Sequence, residues 1–252
     1  MLSVIIITKN EEAAIGRCLE SVAWADEIIV LDSGSSDRTV EICRARGAKV
    51  TVTGDWPGFG PQKSRALSQA TGDWVFSLDA DEWVSPSLAE EIRRRINEPD
   101  SLAGFEVPRL SSFCGRFMRH AGWWPDHVLR LFRKGQARFS DDRLHERVIA
   151  DGPVGRLRGV LLHESFPDLE DVLDKLNRYS TAGAAMLREK GKQGGLAAAL
   201  GHGMWTFLKT YIFQAGFLDG REGFMLSVSN AEGAYYKYLK LMALARQKDA
   251  GR

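Results

Sequence analysis

The first hundred residues of the chain alternate short apolar runs with stretches of helical periodicity. Apolar or β-branched runs occupy residues 2–8, 27–31, 49–53 and 74–78, and a stretch of helical spacing follows each of them. Strict alternation of this kind predicts a mostly parallel sheet with helices on both faces. We therefore expect an α/β, Rossmann-like fold over this part of the chain.

Polar residues stand where three of the predicted strands end. Thr8 ends the first strand, Asp32 follows the second, and Asp79 follows the fourth. In open α/β sheets, ligands bind beside the carboxyl ends of the strands. The sequence therefore predicts that these three residues meet in one binding site.

The run Asp79-Ala80-Asp81 carries the strongest chemical signal. Two carboxylates two residues apart at a strand end can both face one ligand. Such hard oxygen ligands suit Mg²⁺ or Mn²⁺, which in turn bind a diphosphate. The alternative interpretation is a polar loop in which Asp81 caps a neighbouring element.

A second polar turn, at residues 32–37, follows its own apolar run. Here Asp32 is placed to accept a hydrogen bond from a pyrimidine N–H, and Ser33 to approach a ribose. We expect Ser36 or Asp37 to cap the next helix, as serine and aspartate often do. We also expect Ser85-Pro86 to open a later helix, because proline fits the first helical turn.

The turn after the first strand offers further nucleotide contacts through Thr8, Asn10 and Glu11. Lys63 and Arg65 lie on the helix before the fourth strand, where they could neutralise phosphate. The alternative for these two cations is an ordinary solvated helix face.

After about residue 100 the pattern changes, first to strands separated by longer loops and then to helices. Strands are predicted at 105–110, 128–132 and 160–163, and helices at 169–190, 195–216 and 223–245. We predict a catalytic domain over residues 1–165, with its acceptor side at 101–165, and a helical extension over 166–252.

The charge and cysteine content of the chain restrict the kinds of partner that it can bind and the compartment in which it works. A formal net charge of +1 argues against a protein that coats nucleic acid. Three cysteines without zinc-site spacing, and an N-terminus unlike a signal peptide, favour the cytoplasm. Basic surpluses at 109–147 and 186–252 suggest anionic partners. The aromatic residues and lysines of the last helices suit the surface of the inner membrane, although packing or self-association explains them equally well.

Three motifs in this order resemble the family 2 glycosyltransferases of GT-A fold: TKNEE (8–12), LDSGSSDRT (31–39) and SLDADEW (77–83). Four further segments resemble the lipopolysaccharide-core glycosyltransferases of the WaaE/KdtX type: PDHVLRLFRKG (125–135), LHE (144–146), LLHESF (161–166) and FLDGREGF (217–224). Together the motifs extend over nearly the whole chain.

The resemblance implies an inverting reaction in which an acceptor hydroxyl displaces a nucleoside diphosphate from a sugar. It implies UDP-glucose as the donor and a heptose of the lipopolysaccharide inner core as the acceptor. The donor would be bound by Thr8, Asn10, Glu11, Asp32, Ser33, Lys63, Arg65, Asp79 and Ala80. A divalent Mg²⁺ or Mn²⁺ ion would be held by Asp79, Asp81 and His163.

A carboxylate must take the proton of the acceptor hydroxyl. The resemblance favours Glu146, with Asp126 as the alternative, although many relatives carry Glu-Asp where this chain has His145-Glu146. The alternative for Glu146 is a salt bridge to Arg143 or Arg147.

The basic and aromatic loop at 115–126 is the predicted acceptor site. We expect the acceptor to be bound by Arg116, Arg119, Trp123, Trp124 and His145. The two tryptophans would stack on sugars and the arginines would meet phosphates. The alternative for the tryptophans is packing in a core.

Three other functions remain open from the sequence. One is transfer to a different acceptor, such as a polyprenyl phosphate or a peptide. Another is a nucleotidyltransferase, which would release pyrophosphate. The third is a nonenzymatic module that binds a sugar nucleotide. The sequence does not decide the oligomeric state.

Overall fold

A computed structural model describes residues 1–99, 101–140 and 146–250 of the chain, with side chains as far as residue 245. Twelve strands lie in the described residues: β1 Leu2–Thr8, β2 Glu27–Asp32, β3 Lys49–Val52, β4 Trp74–Asp79, β5 Glu82–Val84, β6 Gly104–Phe113, β7 Arg116–Phe117, β8 Asp126–Arg133, β9 Ala137–Phe139, β10 Val148–Ala150, β11 Val154–Arg156 and β12 Leu161–Phe166.

Seven α-helices accompany these strands in the same residues: α1 Ile15–Ser21, α2 Thr39–Ala45, α3 Phe59–Gln69, α4 Pro86–Arg95, α5 Leu169–Glu189, α6 Leu196–Phe207 and α7 Gly220–Ala250. A π-helical segment, Leu208–Phe213, continues α6, and a 3-10 turn, Gly216–Asp219, precedes α7. None of the helices described is both long enough and apolar enough to cross a membrane.

The main sheet has the strand order β3-β2-β1-β4-β8-β6-β12-β5. Its first four strands pair in parallel, whereas β8 pairs antiparallel with both β4 and β6, and β12 pairs antiparallel with β5. The predicted α/β fold with a mixed, mostly parallel sheet and a helical C-terminal region is confirmed.

The central strands are apolar because helices cover both of their faces. Every residue of β1 is buried. Ile6 and Phe76 belong to a cluster on one face, and Ile5 and Val75 pack on the other face with Ala66 of α3. A strand buried on both faces needs a continuous apolar run rather than an alternating one.

The register of the parallel strands brings the predicted polar residues to one edge. Thr8 is the register partner of Asp32, and Ile7 is the partner of Asp79. The expectation that Thr8, Asp32 and Asp79 share the carboxyl edge of one sheet is therefore confirmed.

The N-termini of two helices test the capping predictions. At α4 the Ser85 side chain accepts a hydrogen bond from Leu88 N, and Pro86 is the first helical residue, as expected. At α2 the first helical residue is Thr39, and the residue before it, Arg38, carries no side-chain cap, so the helix begins one residue later than a cap at Asp37 predicts. The Asp37 carboxylate instead accepts hydrogen bonds from the amide and hydroxyl of Thr39, inside the first turn.

The chain forms two compact units. The first consists of residues 1–110 and 126–163, and the second of residues 111–125 and 164–252. In the second unit, α6 and α7 pack together, and a small core gathers Phe113, Met118, Val172 and Leu226. The functional division at residue 165 stays a prediction.

Candidate active site

The turn after β2 is organised by the buried carboxylate of Asp32. Its Oδ1 accepts hydrogen bonds of 2.9 Å from the amides of both Gly34 and Ser35, and its Oδ2 accepts one from the Ser35 hydroxyl. Gly34 has a φ of 81°, which a glycine adopts without steric cost. The predicted nucleotide ligand Asp32 therefore also fixes the backbone of its own turn.

The turns after β1 and β2 are joined by hydrogen bonds around Asn10. Asn10 N donates to Ser35 Oγ at 2.8 Å, and Asn10 Oδ1 accepts from Ser36 N at 2.8 Å. Glu11 N donates to the Thr39 hydroxyl at 2.8 Å. Asn10 has a φ of 56°, a left-handed conformation that asparagine tolerates better than most residues. The two predicted nucleotide-binding turns thus form one connected surface.

A buried glutamine of α3 connects this surface to the third strand. Gln62 Nε2 donates to Ser33 Oγ at 3.0 Å and to Thr53 Oγ1 at 2.9 Å. Arg65, one turn further along α3, makes an exposed bidentate ion pair with Asp55, in which both nitrogen–oxygen distances are 2.8 Å. The phosphate-binding role predicted for Arg65 stays a prediction.

Two further predicted residues differ in what they offer a ligand. The Thr8 hydroxyl is buried and has no hydrogen-bond partner among the residues that the structure describes. The Ala80 side chain is buried in the core, at 5% exposure. The donor-binding role predicted for Ala80 stays a prediction.

Beside these turns, carboxylates alternate with cations in a continuous row, here called the charge row. Its members in order are Glu146, Lys63, Asp79, Arg130, Glu82, Arg109 and Asp126. All seven belong to the first unit. Four carboxylates and three cations give the row a net charge of −1.

The centre of the charge row is Asp79, at the end of β4. Lys63 Nζ lies 2.7 Å from Asp79 Oδ1 and 2.7 Å from Glu146 Oε1. Arg130 Nη2 lies 2.5 Å from Asp79 Oδ2 and 2.6 Å from Glu82 Oε1. Lys63 and Arg130 are 3% and 8% exposed, whereas Asp79 is 30% exposed. The cations are therefore buried beneath a carboxylate that a ligand can reach.

The pKa values of Asp79 and Arg130 move apart because each stabilises the charged form of the other. Burial acts to raise the pKa of Asp79, but the charges of Arg130 and Lys63 outweigh it and hold that pKa well below its usual range. Burial acts to lower the pKa of Arg130, but the charges of Asp79 and Glu82 outweigh it and raise that pKa above its usual value. Both groups are therefore charged at neutral pH.

The far end of the row is held by Arg109. Its Nη1 lies 3.3 Å from Glu82 Oε1, and its Nη2 lies 2.7 Å from Asp126 Oδ2. Glu82 Oε2 accepts the amide hydrogen of Asp79 at 3.0 Å, which fixes the turn that contains Ala80 and Asp81. Glu82 therefore positions the Asp79–Asp81 turn.

Sequence reasoning missed Arg130 and Arg109 and left Glu82 without a firm role. A signal for Arg130 was present, because it interrupts the apolar run of β8 with a charge. A charge in a buried strand requires a partner. The partners themselves come from β4 and β5, which the sequence does not connect to β8.

Two of the three predicted metal ligands lie together. His163 Nε2 is 3.3 Å from Asp81 Oδ2, because the antiparallel pairing of β5 and β12 sets His163 opposite Glu82. Two ligands at right angles on one ion, each about 2.1 Å from it, are about 3.0 Å apart. Asp81 and His163 therefore fit as neighbours on one cation.

The third predicted ligand, Asp79, is engaged by Lys63 and Arg130. Among the described residues, no three His, Cys, Asp or Glu side chains are grouped closely enough to hold a metal. Asp79 as a direct ligand therefore stays a prediction.

A cavity of about 460 Å³ opens beside the charge row. Its walls include Lys63, Asp79, Arg109, Arg130 and Glu146. The predicted base Glu146 is 18% exposed and is paired with Lys63, not with Arg147. Arg143, the other partner considered for it, lies outside the described residues. Asp126 is more open, at 42% exposure, and is paired with Arg109.

The predicted acceptor residues of the loop at 115–126 belong to the second unit. Trp123 packs at 6.0 Å, centroid to centroid, against Phe166, and the Arg119 guanidinium lies 5.6 Å from the Trp124 ring. Arg116 lies on β7 and lines a shallow cavity. His145 lies outside the described residues. Acceptor binding by these residues stays a prediction.

The same loop is anchored by a residue that sequence reasoning did not select. Asp219 Oδ2 accepts the amides of Arg119 and His120 at 3.0 and 2.8 Å, and its Oδ1 lies 2.9 Å from His120 Nδ1. Asp219 is part of the FLDGREGF segment, so that segment holds the shape of the loop.

The sequence profile described as Glycosyl transferase family 2 matches residues 3–152. The chain belongs to this family. The matched region contains the nucleotide-facing turns and all seven members of the charge row. Of the site residues described above, His163, Phe166 and Asp219 lie beyond the matched region.

Two relatives extend the similarity beyond the family region. The uncharacterised glycosyltransferase RT0209 of Rickettsia typhi is 32% identical over 97% of this family 2 chain and 87% of its own length. The lipopolysaccharide core biosynthesis glycosyltransferase LpsC of Rhizobium meliloti is 32% identical over 94% of this chain and 89% of its own.

Among solved structures, glucosyl-3-phosphoglycerate synthase from Mycobacterium tuberculosis, in complex with Mn²⁺, UDP and glucosyl-3-phosphoglycerate, is 28% identical. That match covers 44% of each chain, with a TM-score of 0.38.

Proposed function

We propose that this family 2 glycosyltransferase transfers glucose from UDP-glucose to a heptose of the lipopolysaccharide inner core, with inversion at the anomeric carbon. The acceptor class is supported by the relative from Rhizobium meliloti, which is named for lipopolysaccharide core biosynthesis and matches along nearly its whole length. The donor rests on the resemblance of the motifs that end β1, β2 and β4.

The observation that carries the proposal is the meeting of Lys63 and Arg130 on Asp79, at the carboxyl edge of the sheet. This is the edge where α/β folds bind nucleotides. The connected turns around Asn10 and Asp32 would receive the nucleoside, and the diphosphate would extend toward Asp81. We infer that Asp32 and the Thr8 hydroxyl contact the nucleoside.

The net charge of the row supports a requirement for a divalent cation. Its three cations are already outnumbered by four carboxylates, so a diphosphate would add negative charge without compensation. Asp81 and His163 are the residues that would hold Mg²⁺ or Mn²⁺. The bound ion would supply positive charge to the leaving diphosphate.

The residues of the chain then have separate tasks in one displacement. The acceptor oxygen forms its bond to the anomeric carbon as the bond from that carbon to the diphosphate oxygen breaks. The electron pair leaves with the nucleoside diphosphate, and the hydroxyl proton passes to a carboxylate. We assign this proton to Glu146, which lines the cavity beside Asp79. Asp126 is the alternative.

We further propose that the enzyme works in the cytoplasm. The three free cysteines agree with a reducing compartment.

The test follows nucleoside diphosphate release from a panel of nucleotide sugars, with Mn²⁺ or Mg²⁺, in the presence and absence of heptosylated lipid A-core. We expect metal-dependent release of UDP from UDP-glucose that this acceptor accelerates, and a product that carries one added hexose. Acceleration by a polyprenyl phosphate or a peptide instead would overturn the acceptor. Pyrophosphate release would indicate a nucleotidyltransferase, and binding without turnover would indicate a binding module.

A further inference from the structure

The second unit exposes a band of large apolar side chains on α6 and the segment that follows it. We call this band the apolar face. Its largest members are Leu200, Met204, Trp205, Ile212, Phe213 and Phe217, which are between 49% and 71% exposed. Within the face, the rings of Trp205 and Phe213 are in contact, with centroids 5.8 Å apart. Scattered exposed apolar residues are ordinary, whereas a contiguous apolar face marks an interaction site.

The packing of α6 is inverted relative to a helix on the surface of a water-soluble bundle. Its buried residues are the small Ala199 and Gly203. A Cβ built on Gly203 would lie 3.3 Å from Tyr235 Cβ, so this side of α6 fits closely against α7. A surface helix normally turns its large apolar residues inward. Here the small residues face inward, and Leu200, Met204 and Trp205 face outward.

The charged residues in the stretch of chain that leads into and through the apolar face have one predominant sign. Residues 188–218 contain four cations, Arg188, Lys190, Lys192 and Lys209, and a single anion, Glu189, which gives a net charge of +3. All four cations are exposed. Lys209 lies between Trp205 and Phe213 in the sequence, within the face itself. Two copies of such a surface would repel each other, whereas an anionic surface would attract it.

We propose that the apolar face binds the surface of an anionic lipid bilayer. Trp205, Phe213 and their neighbours would enter the zone between headgroups and acyl chains, and Lys209 would meet lipid phosphates. Aromatic and aliphatic residues beside lysines are the composition of helices that lie in a membrane surface. The proposal does not depend on the donor, the acceptor or the transfer reaction.

The experiment uses the full chain and vesicles without any sugar substrate. Co-sedimentation is measured with vesicles of phosphatidylcholine alone and with vesicles that also contain phosphatidylglycerol. We expect binding to the mixed vesicles and much weaker binding to the neutral ones. The variant Trp205→Ser/Phe213→Ser is expected to bind the mixed vesicles at least about tenfold more weakly, because it removes two interfacial aromatic anchors.

The chain offers a matched control for this variant. Trp56 and Phe59 of the first unit are also a contacting aromatic pair, 46% and 44% exposed, with ring centroids 4.9 Å apart. Trp56→Ser/Phe59→Ser should bind vesicles as the wild type does. Lys209→Glu should weaken binding to mixed vesicles and leave the residual binding to neutral ones unchanged. Circular dichroism confirms that each variant is folded.

Three results would overturn the proposal. The first is that the wild type does not bind the mixed vesicles. The second is that the Trp205/Phe213 variant binds them as strongly as the wild type. The third is that the Trp56/Phe59 variant loses as much binding as the Trp205/Phe213 variant. Sedimentation velocity without lipid tests the alternative that a second copy of the chain covers the apolar face. A wild-type dimer that the Trp205/Phe213 variant dissociates, together with no vesicle binding, would assign the apolar face to a second copy of the chain.

Discussion

Lys63 Nζ lies 2.7 Å from Asp79 Oδ1, although only 3% of the lysine side chain is exposed. The same ammonium group is 2.7 Å from Glu146 Oε1. A single buried cation therefore joins the centre of the charge row to the proposed base. Its position on α3 makes that helix part of the site as well as part of the core.

Replacing Lys63 with methionine should destabilise the fold and abolish transfer. The substitution leaves Glu146 without its cation and Asp79 with Arg130 alone. Because both carboxylates are partly exposed, we expect a cost of about 1 to 3 kcal/mol, the range for losing a hydrogen bond to a charged group. Urea unfolding measures the loss. Arg65→Met is the matched control on the same helix, because its pair with Asp55 is exposed and its stability should stay close to that of the wild type. Equal stabilities for both variants would contradict the role given to Lys63.

The buried Glu27 should make stability depend on pH in the acidic range. Burial acts to raise its pKa, but hydrogen bonds from Lys49, Ser3 and Thr71 lower it from 4.5 to about 2. A carboxylate with a lowered pKa stabilises the fold above its unfolded pKa, and this contribution is lost as the pH falls toward the folded value.

Glu27→Gln should therefore lower the free energy of unfolding by about 2 to 3 kcal/mol at neutral pH. The difference from the wild type should shrink as the pH falls from about 4.5 toward 2. Urea unfolding at a series of pH values measures it. Asp73→Asn, at a carboxylate that is 82% exposed, is the control. A difference that stays constant with pH would refute the electrostatic explanation.

The two candidate bases can be separated by kinetics. Glu146→Gln should lower kcat by about 10² to 10⁴ and leave the donor KM nearly unchanged, because it removes the proton acceptor and little of the donor contact. Asp126→Asn should lower kcat much less. The reverse pattern would assign the proton to Asp126.

Metal binding should depend on Asp81 and His163 more than on any exposed carboxylate. We expect Asp81→Asn and His163→Ala each to weaken the binding of Mn²⁺ in the presence of UDP by at least about tenfold, since each removes one proposed ligand. Electron paramagnetic resonance of free Mn²⁺ measures this without requiring turnover. Asp55→Asn, at an exposed ion pair, should bind Mn²⁺ normally. Unaltered binding by both site variants would exclude this pair as ligands.

Asn10 should be required for the shape of the nucleotide-facing turns. Asn10→Ala loses the acceptor for Ser36 N and places alanine at a φ of 56°, which together cost about 1 to 3 kcal/mol. The variant should bind UDP more weakly in calorimetry. Asn10→Asp keeps an acceptor and a residue type that tolerates this conformation, so its UDP affinity should fall less. The same UDP affinity in Asn10→Ala and the wild type would contradict this assignment.

The sequence by itself determined the first hundred residues well. Apolar runs long enough only for buried strands, each followed by helical spacing, specify a parallel sheet, and the sheet then dictates that Thr8, Asp32 and Asp79 share an edge. The start of α4 at Ser85 and Pro86 was equally predictable, because it depends only on neighbouring residues. The contact expected near Asp37 was also local, since its Oδ1 accepts the amide of Thr39. Its Oδ2 accepts the amide of Glu12, a long-range contact that a local pattern does not show.

Only the tertiary structure decided the partners of the charged residues. The pairing of β4 with β8 brings Arg130 to Asp79, which is 51 residues away in the sequence. The pairing of β5 with β12 brings His163 to Asp81. Local periodicity reports which residues are buried, because burial follows from the spacing of apolar side chains along one element. It does not report which strands become neighbours. Charges are stabilised by whichever opposite charge lies a few ångströms away, and that distance exists only in the folded chain.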